Sequence, residues 1–165
     1  RMIPITAPFS IYTDHVRPEW IDHNGHMNMG YYMVVFDHAT DAFLDACGLT
    51  PTHREAEQVS TFSLEAHINY LQEVREGDPL TFRTTLLGHD AKRIHYIHEM
   101  IHGREGFRAA TNELMSLHVS RATRRTAPMA DAVQQRLAEI AESHDKLTPP
   151  PEAGRHIGLN QRRKG

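Results

Sequence analysis

The sequence predicts an α+β fold in which an antiparallel sheet wraps one long helix. Three observations lead there. Residues Met29 to Ala46 carry helical spacing, and the first half, Tyr31-Tyr32-Met33-Val34-Val35-Phe36, is apolar nearly all round. A single strand-like run precedes that helix, and four strand-like runs follow it between residues 59 and 120, parted by turn residues. A helix apolar on all sides must be covered on most of them, and a curled sheet is the economical cover. Such a sheet leaves an outer face and edges, so self-association as a homodimer or a dimer-based tetramer is expected.

Each element has its own local reason. Ser10 to Arg17 alternates Ile11, Thr13 and His15 with Tyr12, Asp14 and Val16, and Pro18 ends it. In the long helix, Tyr32, Val35, Phe36, Ala39, Phe43 and Cys47 fall on one side. Asn28 is its N-cap, Gly48 its C′ residue, and Pro51 is read as a stop. Asp37, Asp41 and Asp45 form a polar stripe at i, i+4 and i+8. Val59 to Val74 is the first of the four runs, with Phe62, Leu64, Ala66, Ile68 and Tyr70 assigned to one face. Thr61, Ser63, Glu65, His67 and Asn69 take the other. Glu76-Gly77-Asp78-Pro79 is a turn. Leu80, Phe82, Thr84 and Leu86 form the apolar side of the next strand, which Gly88-His89-Asp90 breaks. Arg93 to Ile101 and Phe107 to Ser120 complete the set, and Glu113 is the odd carboxylate on a mostly apolar face. A buried carboxylate there needs a histidine or arginine as partner. A second helix, Ala130 to Ser143, carries Val133, Leu137, Ile140 and Ala141 on one side. Residues 1–145 thus read as one domain, and 146–165 as a proline-rich and basic tail with no core of its own.

Composition excludes several classes. The 165 residues, 39% hydrophobic and 24% charged, suit a folded globular domain rather than a disordered chain. No apolar run approaches the roughly 18 residues that cross a bilayer, so no membrane partner is expected. The opening Arg1-Met2-Ile3-Pro4-Ile5 does not have the build of a signal peptide, and one cysteine, Cys47, allows no internal disulfide. Both fit a cytoplasmic protein. A net charge of -3 argues against nucleic acid. Arg121, Arg124 and Arg125 cluster, as do Arg162, Arg163 and Lys164; patches this small suit a phosphorylated small molecule, or solubility alone. Thirteen histidines invite a metal, but no His-Glu-x-x-His or cysteine pair is present, and His95 and His98 point to opposite faces of a strand. No metal is expected.

The chemistry concentrates before the long helix. Val16-Arg17-Pro18-Glu19-Trp20-Ile21-Asp22-His23-Asn24-Gly25-His26-Met27-Asn28, running into Tyr31-Tyr32, resembles the signature of hotdog-fold acyl-CoA thioesterases of the 4-hydroxybenzoyl-CoA thioesterase type. There an Asp, two variable residues and a Gly precede the central helix, and Asp22 and Gly25 occupy those positions. The likeness runs over most of residues 10 to 125. Asn24-x-His26-x-Asn28 is also similar to acyl-carrier-protein thioesterases of the same fold, where an Asn and a His belong to the catalytic set. Ala110-Thr111-Asn112-Glu113, His118-Val119-Ser120 and Arg124-Arg125 resemble a bacterial subgroup that includes thioesterases of carnitine and betaine metabolism. That subgroup has an Asp after His-Val, where this chain has Ser120.

The resemblance implies the hotdog fold, an acyl-CoA substrate, no cofactor, and active sites at a subunit interface. Its physical content is simple. Asp22 attacks the thioester directly or serves as base for water. The N–H groups of Met29, Gly30 and Tyr31, at the positive end of the helix dipole, hold the oxyanion. Gly30 allows close approach of a carbonyl. His26, Asn28 and Asp37 join the candidate catalytic set, and Trp20, Asn24, Tyr31, Tyr32, Arg121 and Arg124 the substrate-binding set. A quaternary ammonium on the acyl group would be held by Trp20 with Tyr31 or Tyr32 through cation–π contact. Plainer roles exist for the same residues, with Asp22 in a turn, Asn28 as a cap, Asp37 in a solvent stripe and Trp20 as a loop anchor. Two further activities remain open on this fold. One is enoyl-CoA hydratase or dehydratase chemistry, which needs His26 or His38 opposite a carboxylate; the other is acyl-CoA binding without turnover.

Overall fold

A computed structural model describes residues 2–159; the basic group Arg162, Arg163 and Lys164 lies outside them. In chain order the elements are β1 (Phe9–His15), α1 (Met29–Ala46), α2 (Pro51–Glu57), β2 (Val59–Tyr70), β3 (Pro79–His89), β4 (Arg93–His102), β5 (Arg108–Ser120) and α3 (Asp131–His144). A 3₁₀ turn, Pro18–Trp20, lies between β1 and α1. The five strands form one antiparallel sheet in the order β1-β3-β4-β5-β2. This α+β sheet folded against α1 is the hotdog architecture.

Helix α1 begins and ends where its caps demand. The Asn28 side chain accepts from Gly30 N, and Gly48 takes the left-handed φ of 94° just past the last turn. Pro51 is not a stop but the first residue of α2, because Thr50 caps the His53 N–H at 3.1 Å and proline is well suited to a first helical position. Tyr32, Val35, Phe36, Ala39, Phe43 and Cys47 are buried as expected, and so is Leu44. Met29, Tyr31, Met33 and Val34 stay exposed, so one chain covers only part of the apolar girdle.

Two features of β2 depart from the sequence pattern. The turn at Glu76–Asp78 does not close a β2–β3 hairpin; β2 crosses to the far edge and pairs with β5. Its alternation also breaks. Phe62 pairs with Leu117 and Ser63 with Ser116, but Glu65 pairs with Met115, so Leu64 is the extra residue of a bulge. Phe62 therefore joins Glu65, His67 and Asn69 on the outer face, while Thr61 and Ser63 join Ala66, Ile68 and Tyr70 on the helix side. A period-2 reading carried through residues 59–74 cannot register that one-residue slip.

The core lies between α1 and the sheet. Phe43, Leu49, Leu86, Tyr96, Val133, Leu137 and Ile140 fill one end, where α3 docks with Arg136 Nε donating to Ala46 O at 3.0 Å. Val16, Trp20, Tyr32, Phe36, Phe82 and Met100 fill the other. Between them sits the fully buried His98, its Nε2 2.8 Å from Thr40 Oγ1 on α1 and its Nδ1 2.7 Å from Thr84 Oγ1 on β3. On the outer face, residues of the tail lie against the sheet. Glu152 forms a bidentate pair with Arg108 at 3.1 and 2.7 Å, and Gly154 N donates to Glu113 Oε1 at 2.8 Å. The other Glu113 oxygen meets His95 Nε2 at 2.6 Å, the histidine partner its position called for. No helix is long and apolar enough to cross a membrane among the described residues.

Burial holds the His98 imidazole neutral and pushes its pKa down to about 3. His144, buried between Leu86 N and Thr6 O, is lowered in the same direction. Between pH 6.5 and 3 the unfolded chain takes up a proton at position 98 that the folded chain refuses. This contribution is therefore complete above pH 6.5 and falls, at about 1.4 kcal/mol per pH unit, as the solution is acidified. Urea titrations at pH 7, 6 and 5 should show a shallower acid slope for His98→Leu than for wild type. The variant should also be less stable at pH 7, since Thr40 and Thr84 lose their partner.

Candidate active site

The segment between β1 and α1 is a small hairpin stitched to the loop before β3. Val16 N donates to Asp78 O at 2.9 Å, Met27 N to Val74 O at 3.0 Å and Asn28 N to Trp20 O at 2.8 Å. Ile21 and Met27 form a bridge, and Asp22 N donates to His26 O at 2.9 Å. Gly25 turns the tip at φ 82°, a conformation glycine adopts without cost. Asp22 Oδ1 accepts from Asn24 N at 2.9 Å and from His26 N at 3.4 Å. Its Oδ2 has no hydrogen-bond partner among the described residues. Half of this half-buried carboxylate is thus a turn former, and half is unoccupied.

The other predicted residues are placed as follows. His26 turns to Glu73, Nε2 to Oε2 3.0 Å, away from the Asp22 carboxylate that its backbone serves. Asn24 is exposed at the tip. Asn28 takes up two of the helix-terminal donors: its Oδ1 accepts Gly30 N at 2.9 Å and its backbone O accepts Tyr31 N at 3.0 Å. The expectation of three free N–H groups is therefore corrected to one, Met29 N, which has no acceptor among the described residues. Gly30 keeps room for the cap, since a Cβ there would meet Asn28 Oδ1 at 3.3 Å. Tyr70 OH donates to Met29 O at 3.0 Å and ties the start of α1 to the end of β2.

Trp20 is a buried anchor, 4% exposed, with Tyr31 stacked on it at 6.0 Å and the Arg17 guanidinium 4.9 Å from its ring centre. Tyr32 is buried edge-on to Tyr70 at 5.0 Å. Asp37 is exposed, and with Met29, Met33, Asp41 and Asp45 it forms one stripe along α1. Partial burial raises the Asp41 pKa, and the neighbouring carboxylates add to the rise. Arg121 pairs with Glu55 at 2.9 Å. With Arg124, Ser60, Phe62, Val119 and Ser120 it lines a cleft of about 560 Å³ at the Val59 end of β2.

Asn28, Gly30 and Tyr31 are thus joined at the start of α1, and Asp22 lies in the adjoining hairpin turn. Arg121 and Arg124 are not, because they flank the far end of β2. Twelve residues of strand span roughly 35–40 Å. Sequence reasoning misses Glu73 and Tyr70 as site residues; their contacts close only in three dimensions, and no local signal marks them. Among the described residues no group of three or more His, Cys, Asp or Glu is arranged to hold a metal.

This chain belongs to the Thioesterase-like superfamily, whose pattern matches residues 16–137. It is accordingly a thioester hydrolase, even though His26 does face the kind of carboxylate a hydratase would need. Among curated relatives, the betainyl-CoA thioesterase of Pseudomonas aeruginosa is 44% identical over 90% of this chain and 93% of its own length. The L-carnitine dehydrogenase/betainyl-CoA thioesterase of Rhizobium meliloti is 34% identical over 96% of this chain, which spans 32% of that protein. A Staphylococcus aureus protein solved in complex with CoA superposes with a TM-score of 0.87 at 29% identity, over 96% of this chain and 99% of that one.

Asn28→Ala should cost about 1 kcal/mol of stability by freeing the Gly30 N–H, whereas Asn28→Asp should cost little. Thermal unfolding of the two variants beside wild type checks the cap.

Proposed function

We propose that this chain hydrolyses a small polar acyl-CoA of the betainyl kind to free acid and CoA, with Asp22 as nucleophile or general base. The observation that carries the reading is the unoccupied Asp22 Oδ2, held by a backbone-bonded turn just ahead of the α1 N-terminus. The 44% identity to a betainyl-CoA thioesterase over nearly both whole lengths supports the substrate class. No cofactor is needed. As a base, Oδ2 takes a proton from water while the water oxygen bonds to the thioester carbon. The carbonyl electrons move to oxygen and then return, the C–S bond breaks, and the leaving thiolate takes up the proton. As a nucleophile, Oδ2 itself bonds to that carbon, expels the thiolate and forms an anhydride that water opens. Either way the oxyanion meets Met29 N at the positive end of α1, and one such donor is worth about 2.7–4 kcal/mol of barrier.

The active unit in this reading is a dimer. Strand β2 is an edge, Phe62 and Leu64 on it are 59% and 53% exposed, and Met29 and Val34 of α1 are also bare. Antiparallel pairing of two β2 edges about a twofold axis would lay Arg121 and Arg124 of one copy near Asp22 of the other. That arrangement gives the phosphates of CoA cationic partners that a single chain cannot supply. Asp37, on the same side of α1, would line this junction. The cytoplasm is the compartment this reading assigns, in keeping with a lone, buried and unpaired Cys47.

Asp22→Asn keeps the acceptor for the Asn24 and His26 N–H groups but removes the base. It should fold normally and lose about 10²–10⁴ in kcat for CoA release from betainyl-CoA. An undiminished rate, or no release from any short acyl-CoA by wild type, would sink the proposal. Label from ¹⁸O-water appearing in Asp22 after a single turnover would identify direct attack. Leu64→Glu should turn the dimer into a monomer by sedimentation velocity, with loss of turnover.

A further inference from the structure

Strand β5 carries an unexplained polar residue beneath the central helix. Asn112 is 1% exposed and is paired in the sheet with His98 on one side and Ile68 on the other. His98 reaches Thr40 on α1, so this face of the sheet is the helix-facing one. The Asn112 amide nitrogen meets only Met33 Sδ, at 3.7 Å, and its Oδ1 has no partner among the described residues. A buried carbonyl without a donor destabilises the fold, and a leucine there would not.

Its position relative to the reacting end is defined. Tyr70, two residues along β2 from Ile68, holds Met29 O at the first turn of α1. Met33 lies four residues, about 6 Å, further along the helix and meets the Asn112 amide. Met33 is 39% exposed and unbranched, with several rotamers by which it can clear the Asn112 amide. Beside Asn112 in the sheet is Ile68, and Tyr70, two residues further along that face of β2, packs edge-on against Tyr32. An acyl group whose carbonyl sits at the α1 N-terminus would place its far end there.

We propose that Asn112 is a specificity-determining residue that reads a quaternary ammonium on the acyl group. The inference rests on the betainyl reading above. A trimethylammonium carries positive charge spread over its methyl groups and has no N–H to donate. It is matched by aromatic faces and by a carbonyl oxygen that needs no hydrogen bond in return. In the betainyl group the nitrogen stands two bonds from the reacting carbon, which suits a site one helical turn from the oxyanion donor. A neutral acyl group of identical shape packs equally well but leaves Oδ1 unpaired, so discrimination falls on charge.

The test compares betainyl-CoA with 3,3-dimethylbutyryl-CoA, in which carbon replaces the quaternary nitrogen. Wild type should prefer the cationic ester in kcat/KM. Asn112→Leu should reduce that preference about tenfold, mainly through KM for the cationic ester, with a melting temperature no lower than wild type. Asn112→Ala, which truncates the side chain rather than reshaping it, should reduce the preference likewise and serves if the leucine variant does not fold. A preference unchanged in a folded variant overturns the role of Asn112 and leaves the thioesterase reading standing. A wild type that releases CoA from 3,3-dimethylbutyryl-CoA but not from betainyl-CoA overturns the betainyl reading and this inference with it.

Discussion

The buried imidazole of His98 is the contact on which the arrangement of helix and sheet depends. It is a buried polar link between α1 and the middle of the sheet, spending one nitrogen on Thr40 and the other on Thr84. Phe36 stacks on its face at 6.0 Å, and Phe43 and Tyr96 meet its edges. Apolar packing alone would tolerate a helix slid by a turn or rotated by a fraction of one. Two short hydrogen bonds in a dry environment do not, because an unmatched donor or acceptor there is costly. The register of α1 over the sheet then carries through to its N-terminus, where Tyr70 takes hold of Met29 O.

That N-terminus is the second constraint. Asn28 uses its side chain and backbone to close two helix-terminal donors, leaving Met29 N ahead of the turn that holds Asp22. The same turn consumes one Asp22 oxygen and leaves the other. On the proposed reading, structural and chemical roles are divided between the two oxygens of one carboxylate. A turn aspartate and a reactive aspartate are not alternatives at position 22, since the geometry has room for both.

The sheet is unfinished at β2. Its bulge at Leu64 turns Phe62 outward, and α1 leaves Met29, Met33 and Val34 bare. Exposed apolar side chains on an unpaired strand edge are the kind of surface that a partner strand covers. The separation of Arg121 and Arg124 from Asp22 along the full length of β2 has the same resolution. What one chain holds apart, the dimer of the proposed reading would bring together about a twofold axis.

Much of this is legible in the sequence. The bounds of α1, its Asn28 cap and Gly48 terminus, and the α+β class are local matters of capping, periodicity and turn chemistry, and the structure has them where the sequence puts them. So is the need of Glu113 for a partner, which follows from burial alone. Other features are not legible. Thr50 caps α2 across Pro51, and a proline looks the same at a stop as at a start. The crossing of β2 to the far edge, the slip at Leu64, the pairing of His26 with Glu73 and the orphaned oxygen of Asn112 belong to pairs distant in sequence. The chain by itself determined which residues form elements, because propensity and capping act over a few residues. Tertiary structure decided which atoms of those residues stay free for chemistry, because that depends on what every other segment has already claimed.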